Sequence, residues 1–416
     1  MRGMKDSGIE WIGTIPDNWG IMPNKYLMWK KKRICPVYNG EDIISLSMNG
    51  VIVRDLDAGG KMPTSFDGYQ YIESGNLLMC LFDIDVTPRC IGLIKCNGLT
   101  SPAYSQFVLT NRANAGYYNY YYTMLDNDKT LVHLAKNLRH SLTEEQLGTI
   151  STIVPPIDEQ IKISNYLDKK CEEINSVVAQ LQEEIEALEE YKRSVITEAV
   201  TKGLDPDVEM RDSGIAWVGD IPAHWLVEKV KFHLQRNEPR NPGDKQVLSV
   251  YREYGVIPKD SRDDNHNVTS EDTSNYKYVV PGNLVINKMK AWQGSMGVSE
   301  YEGIVSPAYF IYKFTDNQIM PKYLHYLFRS CYKDEFRRIS GGIREGQWDL
   351  SPYEFSNTLL LIPPTDEQNR IVSYIDARIS EIESAITEKK QQIETIEEYK
   401  KSLIFEYVTG KKEVQA

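Results

Sequence analysis

The sequence predicts an α+β fold in which two duplicated globular domains are separated by two long antiparallel coiled-coil helices, with pseudo-two-fold symmetry. The first observation is a repeat: MKDSGIEWIGTIPDNW at Met4–Trp19 returns as MRDSGIAWVGDIPAHW at Met210–Trp225. The second is that VPPIDEQ at Val154–Gln160 and IPPTDEQ at Ile362–Gln368 each precede a long amphipathic stretch without proline. A chain of 416 residues is also too long for a single core.

These repeats divide the chain into five segments. They are a first globular domain at 1–156, a first long helix at 157–203, a second globular domain at 204–364, a second long helix at 365–410 and a tail at 411–416. Short runs of branched and aromatic residues, broken by Gly, Pro and Asn, predict strands in both globular domains. Helical patterns such as Tyr323–Arg338 complete the mixed composition.

The two long segments have the pattern of coiled-coil helices. Their apolar residues recur at a mean spacing of about 3.5, with Glu and Lys between them. These residues are Ile174, Val178, Leu181, Ile185, Leu188 and Val195 in the first segment, and Ile375, Ile379, Ile382, Ile386, Ile393 and Ile396 in the second. Because one such helix cannot bury its apolar stripe alone, we expect the two to pair antiparallel within the chain.

The net charge of −11 argues against nucleic-acid binding, but the acidic residues are concentrated in the helices. Ile157–Lys202 carries 6 basic and 11 acidic residues, and Thr365–Thr409 carries 6 and 10. The rest of the chain is therefore close to neutral, and a domain of low net charge can still present a basic face.

Cysteine usage and hydropathy predict a cytoplasmic protein. The six cysteines form no C-x-x-C pair, which favours reduced thiols over a zinc site or a disulfide framework. No apolar run approaches the roughly 18–20 residues of a membrane span, and the N-terminus lacks the layout of a signal peptide. We therefore expect no metal site and no membrane partner.

The combination of motifs closely resembles the specificity subunits of type I restriction-modification systems, over essentially the whole chain. The residues that carry the resemblance are DSGIEWIG at Asp6–Gly13, its repeat at Asp212–Gly219, and the Pro-Pro-x-Asp-Glu-Gln motif before each long helix. The resemblance implies two target-recognition domains, each reading one half of a bipartite target in double-stranded DNA. It also implies that the helices separate these domains and dock two methyltransferase (modification) subunits, and that restriction subunits with helicase-nuclease activity join the complex.

The same resemblance implies that this chain is not an enzyme and that adenine methylation belongs to a partner. The sequence agrees, since both Pro-Pro sites lack the Asn/Asp-Pro-Pro-aromatic pattern of an amino-methyltransferase, and no G-x-x-x-x-G-K-[ST] phosphate loop occurs. We therefore predict no catalytic residue and no cofactor here. S-adenosylmethionine, ATP and Mg²⁺ are expected only on the partner subunits.

Sequence reading is expected where the two halves diverge. In the second domain Asn287–Gly294 (NKMKAWQG) and Gly341–Trp348 (GGIREGQW) place basic, amide and aromatic side chains beside turn glycines. Arg and Gln make bidentate contacts to base edges, whereas Lys anchors phosphates. The residues predicted to contact DNA are Lys288, Lys290, Trp292, Gln293, Arg344 and Gln347 in the second domain, and Arg89, Lys95 and Arg139 in the first.

Sequence that the two halves share should instead serve tasks common to both, such as folding and binding the same partner. The tryptophans of the repeated openings are expected to pack the globular domains onto the helix ends; they are Trp11, Trp19, Trp217 and Trp225. Two other interpretations stay open. A coiled-coil scaffold or adaptor whose globular domains bind protein partners would explain the acidity, but not the loops of Arg, Lys, Gln and aromatics. An autonomous nuclease or methyltransferase lacks a recognisable catalytic constellation.

Overall fold

The computed structural model shows two compact units, each mixed in α and β structure. The first unit comprises Met1–Gln182 and Lys390–Ala416, and the second comprises Glu183–Lys389, so each contains part of both long helices. The α+β class is confirmed. The described residues are 2–48, 50–58, 63–87, 89–135, 141–252, 254–261, 269–270, 272–342 and 348–415.

Among the described residues, the strands of the first half recur in the same order in the second half, which has two further strands, at Ser340–Gly341 and Asp349–Leu350, before its last strand. Up to the end of the first long helix they are β1 (Met4–Asp6), β2 (Thr14–Pro16), β3 (Gly20–Pro23), β4 (Met28–Lys31), β5 (Ile44–Ser47), β6 (Gly50–Val53), β7 (Gln70–Ile72), β8 (Leu77–Met79), β9 (Ile91–Leu93), β10 (Gly98–Thr100), β11 (Ser105–Leu109), α1 (Ala115–Asn127), α2 (Thr130–Leu134), α3 (Glu144–Thr149), β12 (Ser151–Val154) and α4 (Ile157–Lys202). The remainder are β13 (Met210–Asp212), β14 (Asp220–Pro222), β15 (Leu226–Lys229), α5 (Val230–His233), β16 (Leu234–Arg236), β17 (Leu248–Tyr251), β18 (Gly255–Pro258), β19 (Lys277–Val279), β20 (Leu284–Asn287), β21 (Met296–Val298), β22 (Gly303–Val305), β23 (Tyr309–Phe314), α6 (Pro321–Ser330), α7 (Lys333–Arg338), β24 (Ser340–Gly341), β25 (Asp349–Leu350), α8 (Pro352–Asn357), β26 (Leu359–Ile362) and α9 (Thr365–Val408). Short 3₁₀ turns lie at Asn24–Tyr26, Lys259–Ser261 and Ala291–Gln293.

The central sheet has the same topology in both units. Its strand order is β4-β11-β8-β9 in the first unit and β16-β23-β20-β21 in the second, antiparallel throughout. Two-stranded ladders also recur at equivalent places, with β3 paired to β12 in the first unit and β15 to β26 in the second. The repeat in the sequence is therefore a repeat of topology.

In each unit a helix rich in aromatic residues packs against the end of a long helix. In the first unit Tyr117 of α1 is fully buried, and its hydroxyl donates to the carbonyl of Val408 in α9 at 2.8 Å. In the second unit the equivalent Tyr323 of α6 donates to the carbonyl of Val200 in α4 at 3.3 Å. Each long helix thus ends inside the core of a unit.

Within each unit the two long helices run antiparallel. Higher residue numbers on α4 meet lower ones on α9, and ionic, hydrogen-bond and aromatic contacts join the two helices. The contacts are Tyr166 with Tyr407 and Asn175 with Lys400 in the first unit, and Glu184 with Lys389 and Lys192 with Glu383 in the second. The predicted antiparallel pairing is confirmed within each unit.

The repeated Asp-Glu-Gln motif fastens the start of each long helix. Gln160 accepts a hydrogen bond from the Asn114 amide at 2.7 Å, and Gln368 accepts one from the Met320 amide at 2.8 Å. Each glutamine also donates to the carbonyl of the first proline of its own Pro-Pro pair, at 2.8 Å in both halves. This motif therefore has a structural role, because its glutamine holds the start of each long helix to the rest of the unit.

Two tryptophans of the repeated openings, Trp19 and Trp225, pack at the ends of the long helices as expected. Trp19 and Trp225 are each only 1% exposed, and Trp19 Nε1 donates to Glu159 of α4 at 2.8 Å. Trp11 packs against the core of the first unit, whereas Trp217 is 37% exposed and lies edge-on to the Tyr332 ring. Folding therefore explains the repeat of Trp19 and Trp225.

One helical stretch is divided rather than continuous. The pattern over Tyr323–Arg338 predicts one helix, but α6 ends at Ser330 and α7 begins at Lys333. Between them Tyr332 is fully buried, and its hydroxyl donates to the Leu359 carbonyl at 2.7 Å. Burying this ring turns the chain inward and interrupts the helix.

Candidate nucleic-acid interface

The hairpin between β20 and β21 presents the first predicted DNA-contact stretch of the second unit. Lys290 is exposed, whereas Ala291 at the start of the 3₁₀ turn is fully buried and holds the loop to the core. Trp292 Nε1 donates to the Met289 carbonyl at 3.1 Å. Gly294 ends the turn at φ +86°, a conformation that glycine adopts without strain.

The structure brings this hairpin against the second predicted stretch. Lys288 Nζ lies 2.8 Å from Asp349 Oδ2, and the Lys288 carbonyl accepts a hydrogen bond from the Leu350 amide at 2.9 Å. The rings of Trp292 and Trp348 pack with their centroids 5.6 Å apart. Two stretches separated by about fifty residues therefore form one loop cluster.

Gln293 connects this cluster to the hairpin of β17 and β18. Arg252 Nη2 donates to Gln293 Oε1 at 2.7 Å, and Arg329 of α6 donates to the Arg252 carbonyl at 2.6 Å. Arg252 is a basic residue at the cluster that the sequence prediction missed. Its signal was a basic residue in the turn after a short β-type run, in the segment VYREYG.

Three of the predicted DNA contacts, Arg139, Arg344 and Gln347, lie outside the described residues. The strands β24 and β25 pair antiparallel on either side of 343–347. In the first unit the Leu142 amide, just after 136–140, donates to the Leu81 carbonyl in the loop between β8 and β9 at 2.8 Å. The roles of these three residues stay predictions.

In the first unit a buried carboxylate ties the loop between β8 and β9 to α1. The Asp126 side chain is 1% exposed and accepts hydrogen bonds from Arg89 at 3.3 Å, from Lys129 at 2.8 Å and from the Cys90 amide at 3.0 Å. Because a buried carboxylate must be paired, Arg89 has a structural role in this loop. Its contact with DNA stays a prediction.

Lys95 is exposed but is not brought near Arg89. The two residues lie on either side of β9, at opposite ends of the strand. The Lys95 carbonyl accepts a hydrogen bond from Ser74 Oγ at 3.0 Å, which fixes the turn but leaves the ammonium at the surface. The predicted first-unit contacts are therefore dispersed, whereas those described in the second unit form a cluster.

A buried, uncharged histidine is hydrogen-bonded to β21, the second strand of the hairpin that carries the cluster. His325 of α6 accepts a hydrogen bond from the Val298 amide of β21 at 3.2 Å. Burial, together with the positive charges of Arg329 and Lys322, lowers the pKa of His325 from 6.5 to about 3. The imidazole is therefore uncharged near neutral pH and acts as a hydrogen-bond acceptor.

Over the described ranges, no three His, Cys, Asp or Glu side chains gather where they could hold a metal ion. In the same part of the chain, no helix has the length and apolar character that crossing a bilayer requires.

Comparison with known proteins identifies relatives. Residues 233–395 match the model of the family described as type I restriction modification DNA specificity domain. A curated relative, described as the putative type I restriction enzyme MjaX specificity subunit of Methanocaldococcus jannaschii, is 21% identical over 282 residues. That alignment covers 65% of this chain and 61% of the relative, so the chain spans about three fifths of the relative's length.

A solved structure shares the fold. A chain from "Structural basis underlying complex assembly and conformational transition of the type I R-M system" superposes with a TM-score of 0.67 at 12% identity, covering 95% of this chain and 99% of that one. The HsdS subunit from Thermoanaerobacter tengcongensis gives a TM-score of 0.49 at 14% identity, covering 95% and 98%. The predicted resemblance is confirmed.

Proposed function

We propose that this chain, whose residues 233–395 match the type I restriction modification DNA specificity domain, is the DNA sequence-recognition subunit of such a system. Each unit reads one half of a bipartite target in double-stranded DNA. Two modification subunits dock on the chain, and restriction subunits complete the assembly.

A duplicated scaffold with divergent loops is the observation that carries this proposal. The central sheets share one strand order, but their loop ends differ. The second unit gathers Lys288, Lys290, Gln293 and Arg252 at one cluster, whereas the first ties Arg89 to a buried carboxylate. A common scaffold with different loop side chains suits a ligand that has a uniform backbone and a variable sequence, as duplex DNA has.

Catalysis and its cofactors belong to the partner subunits in this proposal. The purified chain should therefore show no saturable binding of S-adenosylmethionine by isothermal titration calorimetry. Tight, saturable binding would contradict this assignment.

The experiment that tests the proposal measures DNA affinity of the chain, assembled with its modification subunits, over a series of salt concentrations. Affinity should fall steeply with salt, because phosphate contacts release counterions. Lys290→Gln should weaken binding to all sequences and reduce the salt slope by about one ion. Lys401→Gln, which removes a similarly exposed ammonium from α9 away from the loop cluster, is the matched control and should leave the salt slope unchanged. Binding without salt dependence, or none at all, would favour a protein scaffold instead.

A further inference from the structure

An exposed lysine-aromatic pair occurs at the same place in both units. Tyr26 is 57% exposed, and Lys25 Nζ lies 5.2 Å from the centroid of its ring. In the second unit Phe232 is 60% exposed, and Lys231 Nζ lies 5.6 Å from its ring centroid. The two pairs match when the repeated openings are aligned.

Both pairs sit on a short helical turn at the same point of the fold. The turn directly follows β3 in the first unit and β15 in the second, and each of these strands pairs with the strand that leads into a long helix. A buried residue anchors each turn beside the exposed pair, Asn24 in the first unit and Val230 in the second. The turns are therefore fixed, and their outer side chains have a defined position.

Folding does not explain why this pair recurs. The recurring residues that serve the fold, such as Trp19 with Trp225 and Gln160 with Gln368, are buried. The aromatic rings of the pairs are mostly in solvent, where they add little to stability. Residues next to the pairs also differ between the halves, so the retained Lys-aromatic chemistry indicates a task that both units share.

In the first unit the pair lies at the end of the central sheet opposite the candidate DNA loop. Tyr26 precedes β4, whose first residue Met28 pairs with Leu109 at one end of β11. The loop between β8 and β9 follows Met79, which pairs with Ser105 at the other end of β11.

The second unit has the same arrangement along β23. Phe232 precedes β16, whose first residue Leu234 pairs with Phe314. The loop that carries Lys290 follows Asn287, which pairs with Tyr309 at the opposite end of β23. The position of the pairs therefore favours a partner other than the DNA that the loops contact.

We propose that Lys25–Tyr26 and Lys231–Phe232 are equivalent docking points for two copies of one protein partner, the modification subunit. This inference rests on the proposed function. An exposed aromatic ring on a rigid turn is the typical anchor of a protein interface, and the adjacent ammonium selects a pocket bordered by a carboxylate. Two equivalent pairs bind two identical surfaces, whereas the reading loops, which differ, bind two different sequences.

The test counts modification subunits bound to the full chain by native mass spectrometry, at a subunit concentration a few-fold above the wild-type Kd. The wild-type chain should bind two copies. Tyr26→Ala and Phe232→Ala should each weaken one docking point about tenfold, so that complexes with one copy predominate. The double variant should lose both copies, and Tyr26→Phe should retain two because the ring remains.

Trp29→Ala is the matched control. Trp29 is 52% exposed on β4 of the first unit, and Gln235 occupies the equivalent position in the second. Removing this aromatic side chain should leave two copies bound. Charge reversal by Lys25→Glu and Lys231→Glu provides a second measurement, because it weakens docking without removing either ring.

The outcomes separate the inference from the function on which it rests. A wild-type chain that binds no modification subunit would contradict the proposed function. A wild-type chain that binds two copies, together with Tyr26→Ala and Phe232→Ala variants that bind two with unchanged Kd, would overturn the inference alone. Unchanged stoichiometry with weaker binding to every DNA sequence and a smaller salt slope would also overturn it, since the pairs would then contact phosphates.

Discussion

At the scale of single residues, His325 links the protonation state of the second unit to its stability. In the folded chain its pKa is lowered to about 3, chiefly because the ring is buried. In the unfolded chain the pKa of a histidine lies near 6.5. At pH 5 the unfolded chain therefore binds a proton that the folded chain does not, and acid favours unfolding through this group. The stability that it contributes is fully present above pH 6.5 and decreases as the pH falls toward 3.

We predict that His325 makes the free energy of unfolding about 2 kcal/mol smaller at pH 5 than at pH 7. His325→Gln, which keeps a hydrogen-bond acceptor for the Val298 amide but cannot be protonated, should lack this part of the loss. Chemical denaturation of both proteins at the two pH values measures the difference. Equal pH dependence in wild type and variant would show that the imidazole titrates normally in the folded chain.

The sequence placed basic residues near divergent loops but could not show which of them are neutralised. Arg89 is paired with Asp126, which lies 37 positions later in the chain. Lys288 is paired with Asp349, which lies 61 positions later. Such partners are set by tertiary packing, and no local pattern indicates them. Lys290, which the same pattern singles out, remains exposed.

At the scale of elements, the long helices were predictable because their signals are local. The spacing of apolar residues marks the extent of each long helix, and a Pro-Pro pair marks where it begins. A glycine with positive φ follows each helix end, Gly203 at +76° and Gly410 at +72°. Fewer of the strands were located, since several, such as β1 and β7, have only three residues each. A run of that length contains too few alternations to distinguish a strand from a loop.

We predict that the long helices set the number of unread base pairs between the half-sites. Seven helix-favouring residues inserted after Gln182 in α4, and seven after Lys389 in α9, fall between the two units and retain the heptad register. They lengthen each helix by about 10 Å, which corresponds to about three base pairs of duplex. Methylome sequencing should show the gap enlarged by that amount with the half-site letters unchanged. An unchanged gap would mean that the helices are not the spacer.

At the scale of the whole molecule, each long helix ends against a repeated opening motif. A Cβ atom at Gly410 would lie 2.6 Å from Pro16 and 2.8 Å from the Trp19 ring. At Gly203 it would lie 3.4 Å from the equivalent Trp225. The end of the chain thus packs on its own beginning within the first unit. The repeat made this packing predictable. The first long helix is followed in the sequence by an opening motif, and the second would also be followed by one if the two termini were joined.

We predict that a circular permutant will fold. Joining the termini with a short flexible linker and opening the chain near Gly203–Pro206 preserves the packing of both glycines on their tryptophans. The permutant should be soluble, with the far-ultraviolet circular dichroism of the wild-type chain and a Tm within a few degrees of it. Several permutants with linkers of different length that all fail to fold would contradict this packing. Opening the chain inside α1, at Tyr121, is the control that should not fold, because that residue is fully buried.

The central claim is that each unit reads its own half of one DNA target, and methylome sequencing of the host tests it most directly. Deleting the chain should abolish methylation at one bipartite motif, and restoring it should recover both half-sites. Restoring instead a variant with Lys290→Ala and Gln293→Ala should alter or relax the letters of one half-site, while the other half-site and the gap stay the same. Methylation that persists without the chain, or letters that change in both half-sites together, would contradict the account.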